Sequence, residues 1–500
     1  MKPFVTLIFL SFIFTSNTVQ AKRNKQYFNQ SEFEVDFSIT HPILAADFIK
    51  AADNELFLLG EQEDKQKIVA LYALDQQDNQ YKQHIKILLP KNIIAFDLIT
   101  DVKGLEKILL LYSGGLSVLN LENGLITPLI KTDSIYLDLK PQFVAKKELV
   151  RDLNNDGLDD IFISDFENIN VYIQQNDGEF IKSSLPIKPL VNMTNEDIAF
   201  SEKQIFNVDT NFDQLVDIVI LVENKLHIFE QLKSGEFNQI IKDISLPMQV
   251  SDIPWWMLRG ADGESVDQSQ LQHRMLEAVE DINGDSIPDI MVRLTNSSGV
   301  FDRQNIYEIY YGSKREYRLG FGSKSDTSIS AEGTLSGLEL LDINADGRQE
   351  ILVSSFDIGI SQIIGALLSG SVDQDVYVFS LDEKNQYTKE PLFSEEVDLN
   401  FSFSSGSTGK PVILLVDLNG DKLKELMLSS SSNRLAIYSG ENTKQLFRSR
   451  YKKHKIRLPE DGSMMIAADL NSDSKQEIVV RYGKQDPKEL QNKIVILSSK

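Results

Sequence analysis

Asp152-Leu153-Asn154-Asn155-Asp156-Gly157-Leu158-Asp159-Asp160-Ile161 carries oxygen-bearing side chains at positions 1, 3, 5 and 9 and an aliphatic residue at position 10. The spacing returns five times: Asp209, Asn211, Asp213, Asp217; Asp281, Asn283, Asp285, Asp289; Asp342, Asn344, Asp346, Glu350; Asp417, Asn419, Asp421, Glu425; and Asp469, Asn471, Asp473, Glu477. Position 10 is Ile161, Ile218, Ile290, Ile351, Leu426 or Ile478. Two earlier segments read as decayed copies. Asp47 and Glu55 keep the eight-residue separation, and Asp97, Asp101 and Glu106 carry one residue too many. First positions are separated by 50, 55, 57, 72, 61, 75 and 52 residues, which makes eight units of large β-repeat size.

Each acidic segment leads into a short run such as Ile161-Phe162-Ile163, Ile218-Val219-Ile220 or Ile478-Val479-Val480. β-branched and aromatic residues bounded by Asn, Asp, Gly and Ser read as strands. Ile169-Asn170-Val171-Tyr172 and Leu226-His227-Ile228-Phe229 follow at the same offset, then Gly178-Glu179-Phe180 and Gly235-Glu236-Phe237. A unit therefore reads strand, acidic loop, strand, turn, strand, Gly-x-Phe turn, strand. Ser269 to Glu280 is the nearest thing to a helical period. About four strands per unit around an axis predict an all-β propeller of eight four-stranded blades, with seven as the alternative. The run Phe33-Glu34-Val35-Asp36-Phe37 is placed to complete the last blade beside Ile494-Val495-Ile496-Leu497. That pairing would remove an exposed edge.

A loop with oxygens at positions 1, 3, 5 and 9 and a backbone carbonyl at position 7 suits calcium, which takes six to eight oxygen ligands. The expected carbonyl donors are Leu158, Leu215, Ile287, Arg348, Leu423 and Lys475. Gly157 and Gly347 at position 6 permit the sharp turn, and Gln214, Ser286, Lys422 and Ser474 suit it less well. An EF-hand requires an acid at position 12. Here that position is Ile163, Ile220, Val292, Val353, Leu428 or Val480, which excludes one. About six calcium ions are expected, with none in the first two units.

The Asp-x-Asn-x-Asp-Gly-x-x-Asp pattern followed by an aliphatic strand resembles the FG-GAP and VCBS-type repeats of integrin α-subunits and exported bacterial proteins. The resemblance covers nearly the whole chain after its first residues. It implies a propeller whose calcium loops join two strands of each blade. The Phe-Gly and Gly-Ala-Pro elements of those repeats are poorly represented here.

Met1-Lys2-Pro3 followed by an apolar run through Phe14 reads as a secretory signal over residues 1–21, cleaved after Ala21. A short tail, 22–26, would precede a propeller spanning 27–500, with insertions near 252–278 and 382–410. An uncleaved anchor is the competing reading, but the run is short of the ~20 apolar residues of a membrane span. No later segment is long and apolar enough to cross, so a periplasmic or secreted protein without a membrane anchor is expected. The chain has no cysteine, which excludes disulfides and thiolate metal sites. Its net charge of −23 opposes nucleic-acid binding.

Catalytic patterns are scarce. The five histidines, His41, His84, His227, His273 and His454, form no zinc spacing, and there is no nucleophile elbow. A binding or assembly scaffold for protein or glycan ligands is the leading reading, with a polysaccharide lyase or hydrolase on the same fold as the alternative. Trp255-Trp256, the only tryptophans, suit stacking on a sugar or anchoring a partner, or else packing between blades. Ser402 to Gly409 reads as a flexible loop, and Arg315, Arg318 and Lys324 as a basic cluster on a turn.

Overall fold

The computed structural model describes residues 27–49, 53–138, 141–194, 197–299, 303–316, 318–331, 333–356, 371–402 and 407–500. The residues read as a signal, 1–21, and half of the Ser402 to Gly409 stretch, 403–406, lie outside them.

The strands assort into eight blades in chain order, antiparallel except for the two-residue strand Ala145–Lys146, which runs parallel to Ala95–Thr100 in blade 2. Blade 1 is built from Leu44–Ala46, Glu55–Glu61, Lys67–Asp75 and Gln80–Leu88, and blade 3 from Val150–Arg151, Asp160–Ser164, Ile169–Gln174 and Phe180–Leu185. Each innermost strand leads through its acidic loop into a long second strand, as the repeat predicts. Blade 8 joins the two ends of the chain: Met465–Ala468, Glu477–Arg481 and Lys493–Ser499 are completed by Phe28–Glu34. Phe28 pairs with Ser499 and Glu34 with Lys493, an unbroken seven-residue ladder. The closing strand thus starts five residues earlier than the Phe33 to Phe37 run suggests.

Strand alternation explains the core. Second and third strands such as Asp217–Val222 and Ile169–Gln174 have packed layers on both faces, so they are almost continuously buried rather than alternating. Eight hydrophobic clusters result, one between each pair of neighbouring blades. Val219, Ile228, Ile290 and Val292 pack blade 4 on blade 5. Leu56, Ile68, Val479 and Ile496 pack blade 1 on blade 8. Eight junctions for eight blades leave no open edge, which settles the count against seven.

Gln272–Glu280, the nearest helical candidate, is a strand paired with Asp289–Ser297, with a bulge between Leu276 and Ala278. The inter-blade insertion before it therefore ends near residue 271 rather than 278. In the 382–410 stretch, the Leu381 to Tyr387 bridge is an ordinary blade turn and Phe393–Ser402 is blade 6's outer strand. Arg315 and Arg318 pair in a small exposed hairpin of Ser313–Arg315 and Arg318–Gly320. Sequence patterning does not separate out a second small hairpin, Leu190–Met193 with Ile198–Ser201, between blades 3 and 4. Antiparallel order puts the acidic loops and the Gly-x-Phe turns at one end of the ring. The connections between blades, including this hairpin and the tryptophan segment, lie at the other.

Candidate functional site

All six intact loops take one conformation, and the side chains explain it. In blade 3 the Asp152 carboxylate accepts from the Asp156 and Gly157 amides at 3.1 and 2.8 Å. Asn154 Oδ1 accepts from Asp156 N at 3.1 Å, and Asp156 Oδ1 from Leu158 N at 2.9 Å. Asp281, Asn283 and Asp285 repeat this set in blade 5, as do Asp342, Asn344 and Asp346 in blade 6. The equivalents Asp209, Asn211 and Asp213, and Asp469, Asn471 and Asp473, do the same. Asp417, Asn419 and Asp421 complete the series.

Position 6 is left-handed in every intact loop, from Gly157 at φ 86° to Ser286 at 66°. Position 4 is left-handed too: Asn155, Phe212, Gly284, Ala345, Gly420 and Ser472 all have φ between 57° and 78°. Phe212 and Ala345 carry a steric cost there that only the surrounding loop can hold in place. Asn155, Gly284 and Gly420 are the sequence signal for this second kink.

Position 9 reaches back to its own loop's second amide. Asp160 Oδ2 accepts from Leu153 N at 3.0 Å and its Oδ1 from Gln174 N at 2.9 Å. The same seven-residue reach links Asp217 to Thr210, Asp289 to Ile282, Glu350 to Ile343, Glu425 to Leu418 and Glu477 to Leu470. These acids are buried, and burial, followed by the carboxylates at positions 5 and 1, pushes Asp160, Asp289 and Glu350 up to about 7. Burial also raises Asp217, Glu425 and Glu477. Positions 1, 3 and 5 are therefore brought together, and position 9 ties the loop to its own blade; in blades 6 and 7 it also accepts from the position-3 side chain, Asn344 Nδ2 at 3.5 Å and Asn419 Nδ2 at 3.0 Å. Among the described residues, no three His, Asp or Glu side chains converge as a ready-made metal cage.

The donor set still suits a hard cation. Each carboxylate oxygen has a lone pair beyond the one an amide engages. Among the described residues, ion pairs reach positions 1 and 5 of the intact loops only at Asp346, from Arg348 at 3.2 Å, and at Asp473, from Lys475 at 3.8 Å. Neighbouring loops are also joined into a girdle: Asn54 N donates to Leu470 O, Gln349 N to Ile282 O and Gln476 N to Asp417 O.

In the decayed loops most of the acids are engaged within the chain, although Asp47 Oδ1 is buried with no hydrogen-bond partner among the described residues. Glu55 Oε2 accepts from Phe48 N and Ile49 N at 2.9 and 3.1 Å. Asp97 lies inside the strand Ala95–Thr100 and accepts from the Leu149 and Val150 amides of blade 3. Asp101 caps its own turn through Lys103 N and Leu105 N and pairs with Lys107 at 3.5 Å. Glu106 accepts from Thr100 Oγ1 at 3.1 Å.

At the opposite end, Pro254 leads into a single 3₁₀ turn, Trp255–Met257. Trp256 is 48% exposed and stands edge-on to Trp255, with ring centroids 5.4 Å apart. The Arg303 guanidinium lies 4.1 Å from the Trp255 ring centre. One tryptophan is thus held by a cation and the other faces solvent. His227, on a strand of blade 4, has Asp243 across the ladder at 3.5 Å, a partner that sequence proximity does not reveal. His41 and His454 are buried, with pKa values lowered mainly by burial.

No protein-family model matches the sequence, and no curated protein matches it. Among solved structures, the chain is similar to an Agrocybe aegerita lectin specific for non-reducing terminal N-acetylglucosamine. Identity is 13%, the match covers 79% of this chain and 90% of that one, and the TM-score is 0.40. It is also similar to the WD40 domain of SCAP from fission yeast, at 12% identity, with 95% and 98% covered and a TM-score of 0.36. The eight-bladed ring described above rests on its own strand ladders and inter-blade packing.

Proposed function

We propose that this chain is an exported, calcium-stabilised propeller of the FG-GAP and VCBS type that acts as a binding or assembly scaffold for protein or glycan ligands. In this reading, Asp, Asn and Asp at positions 1, 3 and 5 hold each of about six ions, with the position-7 carbonyl. The position-9 acid joins the shell or supports it from behind. Calcium supplies charge neutralisation and fixes the doubly left-handed loops, so the ring presents its other face rigidly.

The observation that carries the binding assignment is the exposed Trp256 ring, braced by a Trp255 that is itself stacked on Arg303. An indole face offered to solvent on a rigid turn suits stacking on a sugar or a partner's side chain. The test is a screen of wild type and Trp256→Ala on immobilised glycans and peptides in calcium. A ligand of the wild type should bind the variant at least tenfold more weakly, with melting temperature almost unchanged because the ring is half exposed. A ligand that binds both proteins equally removes the tryptophan from the site. Cleavage of a polysaccharide on the same screen replaces the scaffold reading with an enzymatic one.

A further inference from the structure

The hairpin of Leu190–Met193 and Ile198–Ser201 stands in the connection between blades 3 and 4 and belongs to neither. Its register pairs Val191 with Phe200 and Met193 with Ile198. Strand alternation puts these four side chains on one face. Val191, Phe200, Met193 and Ile198 are 49%, 39%, 58% and 53% exposed respectively. Phe166, from a turn of blade 3, meets Phe200 edge-on at 5.0 Å and is itself 38% exposed, so it extends the apolar surface. A two-residue-wide ladder with four large apolar groups in water is not explained by the hairpin's own packing. Contiguous patches of this kind mark interaction surfaces. Among the described residues each strand pairs only with the other, so both outer edges keep unpaired backbone groups.

The surrounding charges say what fits. Lys147, Lys188 and Lys203 are each already paired, with Glu202 at 3.5 Å, with Glu167 at 2.9 Å, and with a largely buried Asp252. Asp165, beside Phe166, and Asp197, in the hairpin turn, take part in no ion pair among the described residues. The nearby cations are engaged, while Asp165 and Asp197, although hydrogen-bonded to neighbouring N–H groups, keep negative charge that no cation neutralises among the described residues. A complementary partner therefore brings apolar side chains together with positive charge. A second copy of a chain of net charge −23 brings the wrong sign. The apolar groups lie along the flank of the hairpin, which favours lateral packing over insertion into a bilayer.

We infer that this hairpin is a docking platform for an extended apolar-and-basic segment of a protein partner, which adds to its edge and covers Val191, Met193, Ile198 and Phe200. The inference rests on the scaffold reading and gives it a partner class and a place. Strand addition takes its affinity from main-chain hydrogen bonds and its selectivity from alternate side chains.

The probes are three twelve-residue peptides: alternating Val and Lys, alternating Val and Glu, and alternating Ser and Lys. Binding is measured by fluorescence anisotropy on the full chain in calcium, for wild type and for the double variants Val191→Ser/Phe200→Ser and Met193→Ser/Ile198→Ser. The wild type should bind the Val/Lys peptide at least tenfold more tightly than the other two. Each variant should lose that preference while keeping the wild-type melting temperature. If one variant unfolds, the other decides. No binding of Val/Lys, equal binding of Val/Glu or Ser/Lys, or unchanged binding by a folded variant overturns the proposal. So does a dimer in sedimentation, or flotation with phosphatidylcholine vesicles, that the variants abolish. A Trp256-dependent ligand that ignores both hairpin variants leaves the scaffold reading standing and removes only this platform.

Discussion

Blade 1 and blade 3 share the position-9 bond and differ in the residues around it. Blade 3 has acids at positions 1, 5 and 9 and Asn154 at position 3. Blade 1 keeps Asp47 and Glu55 but has Ile49 and Ala51 where the others have Asn and Asp. Yet Glu55 accepts from Phe48 N as Asp160 accepts from Leu153 N, over the same seven residues. What survives the decay is the position-9 bond, and what is lost is the cluster at 3 and 5. One acid of the motif therefore builds the blade, and the others are free to serve something that blade 1 does without.

The sharpest way to break this comparison is to remove calcium. A site filled at 100 times its dissociation constant contributes about 2.7 kcal/mol, and several such sites add. Chelation should lower the melting temperature far more than loss of any single loop acid. Identical melts with and without chelator would end the calcium proposal. Counting ions localises the effect. The wild type should hold about six, Asp156→Ala one fewer, and Asp101→Ala the full number. Asp101 nonetheless caps its turn and partners Lys107, so its loss costs about 1 kcal/mol in either condition. An equal loss of calcium from both variants would mean that spacing has been mistaken for chemistry.

The next prediction concerns position 9 itself. Glu55→Ala strands the Phe48 and Ile49 amides, and Asp289→Ala strands those of Ile282 and Gly312. An unsatisfied buried donor costs about 1–3 kcal/mol, so each variant should lose roughly 2–5 kcal/mol in denaturant unfolding with chelator present. Similar losses in blades 1 and 5 keep the two roles separate. An extra loss for Asp289→Ala that appears only when calcium replaces the chelator would make position 9 of blade 5 a metal ligand as well as a brace.

These two roles mark where sequence legibility ends. The eight units, the strand order and the closure by the chain's ends can be read because repetition and apolar alternation act locally. Position 9 reads as a metal ligand because an eight-residue separation looks the same whether the carboxylate points at an ion or at its own loop's second amide. Only the hydrogen-bond partners distinguish the two, and the second partner, Gln174 N for Asp160 or Gly312 N for Asp289, lies 14 or 23 residues further along the same blade. The left-handed position 4 is hidden wherever Phe212 or Ala345 replaces Asn or Gly. The hairpin at 190–201 is hidden because its alternation is that of an ordinary strand, and nothing local says that no blade receives it. Gln272–Glu280 looks faintly helical because a bulge at Leu276 and Ala278 shifts its apolar register.

The last effect is the most specific to blade 1. Glu55 is 1% exposed, and burial, only partly offset by the Ile49 and Phe48 amides, pushes it from an ordinary 4.5 up to about 7, with Asp47 adding to the rise. Between these two values the native state holds a proton that the unfolded chain has released. The native form therefore binds more protons, and stability falls as pH rises from about 4.5 to about 7, then levels off. Other position-9 acids titrate in the same window, so the measurement is the difference between wild type and Glu55→Gln across pH 4 to 8, with chelator. Gln keeps an oxygen for both amides and has no charge to desolvate. The variant should match the wild type near pH 4 and exceed it by about 1–3 kcal/mol at pH 7 and above. A constant offset at all pH values would mean that the Glu55 carboxyl titrates normally. A variant less stable than wild type at pH 7 would mean that the ionised carboxylate is itself what holds blade 1 to its loop, and the likeness between blades 1 and 3 would then have to be redrawn around charge rather than shape.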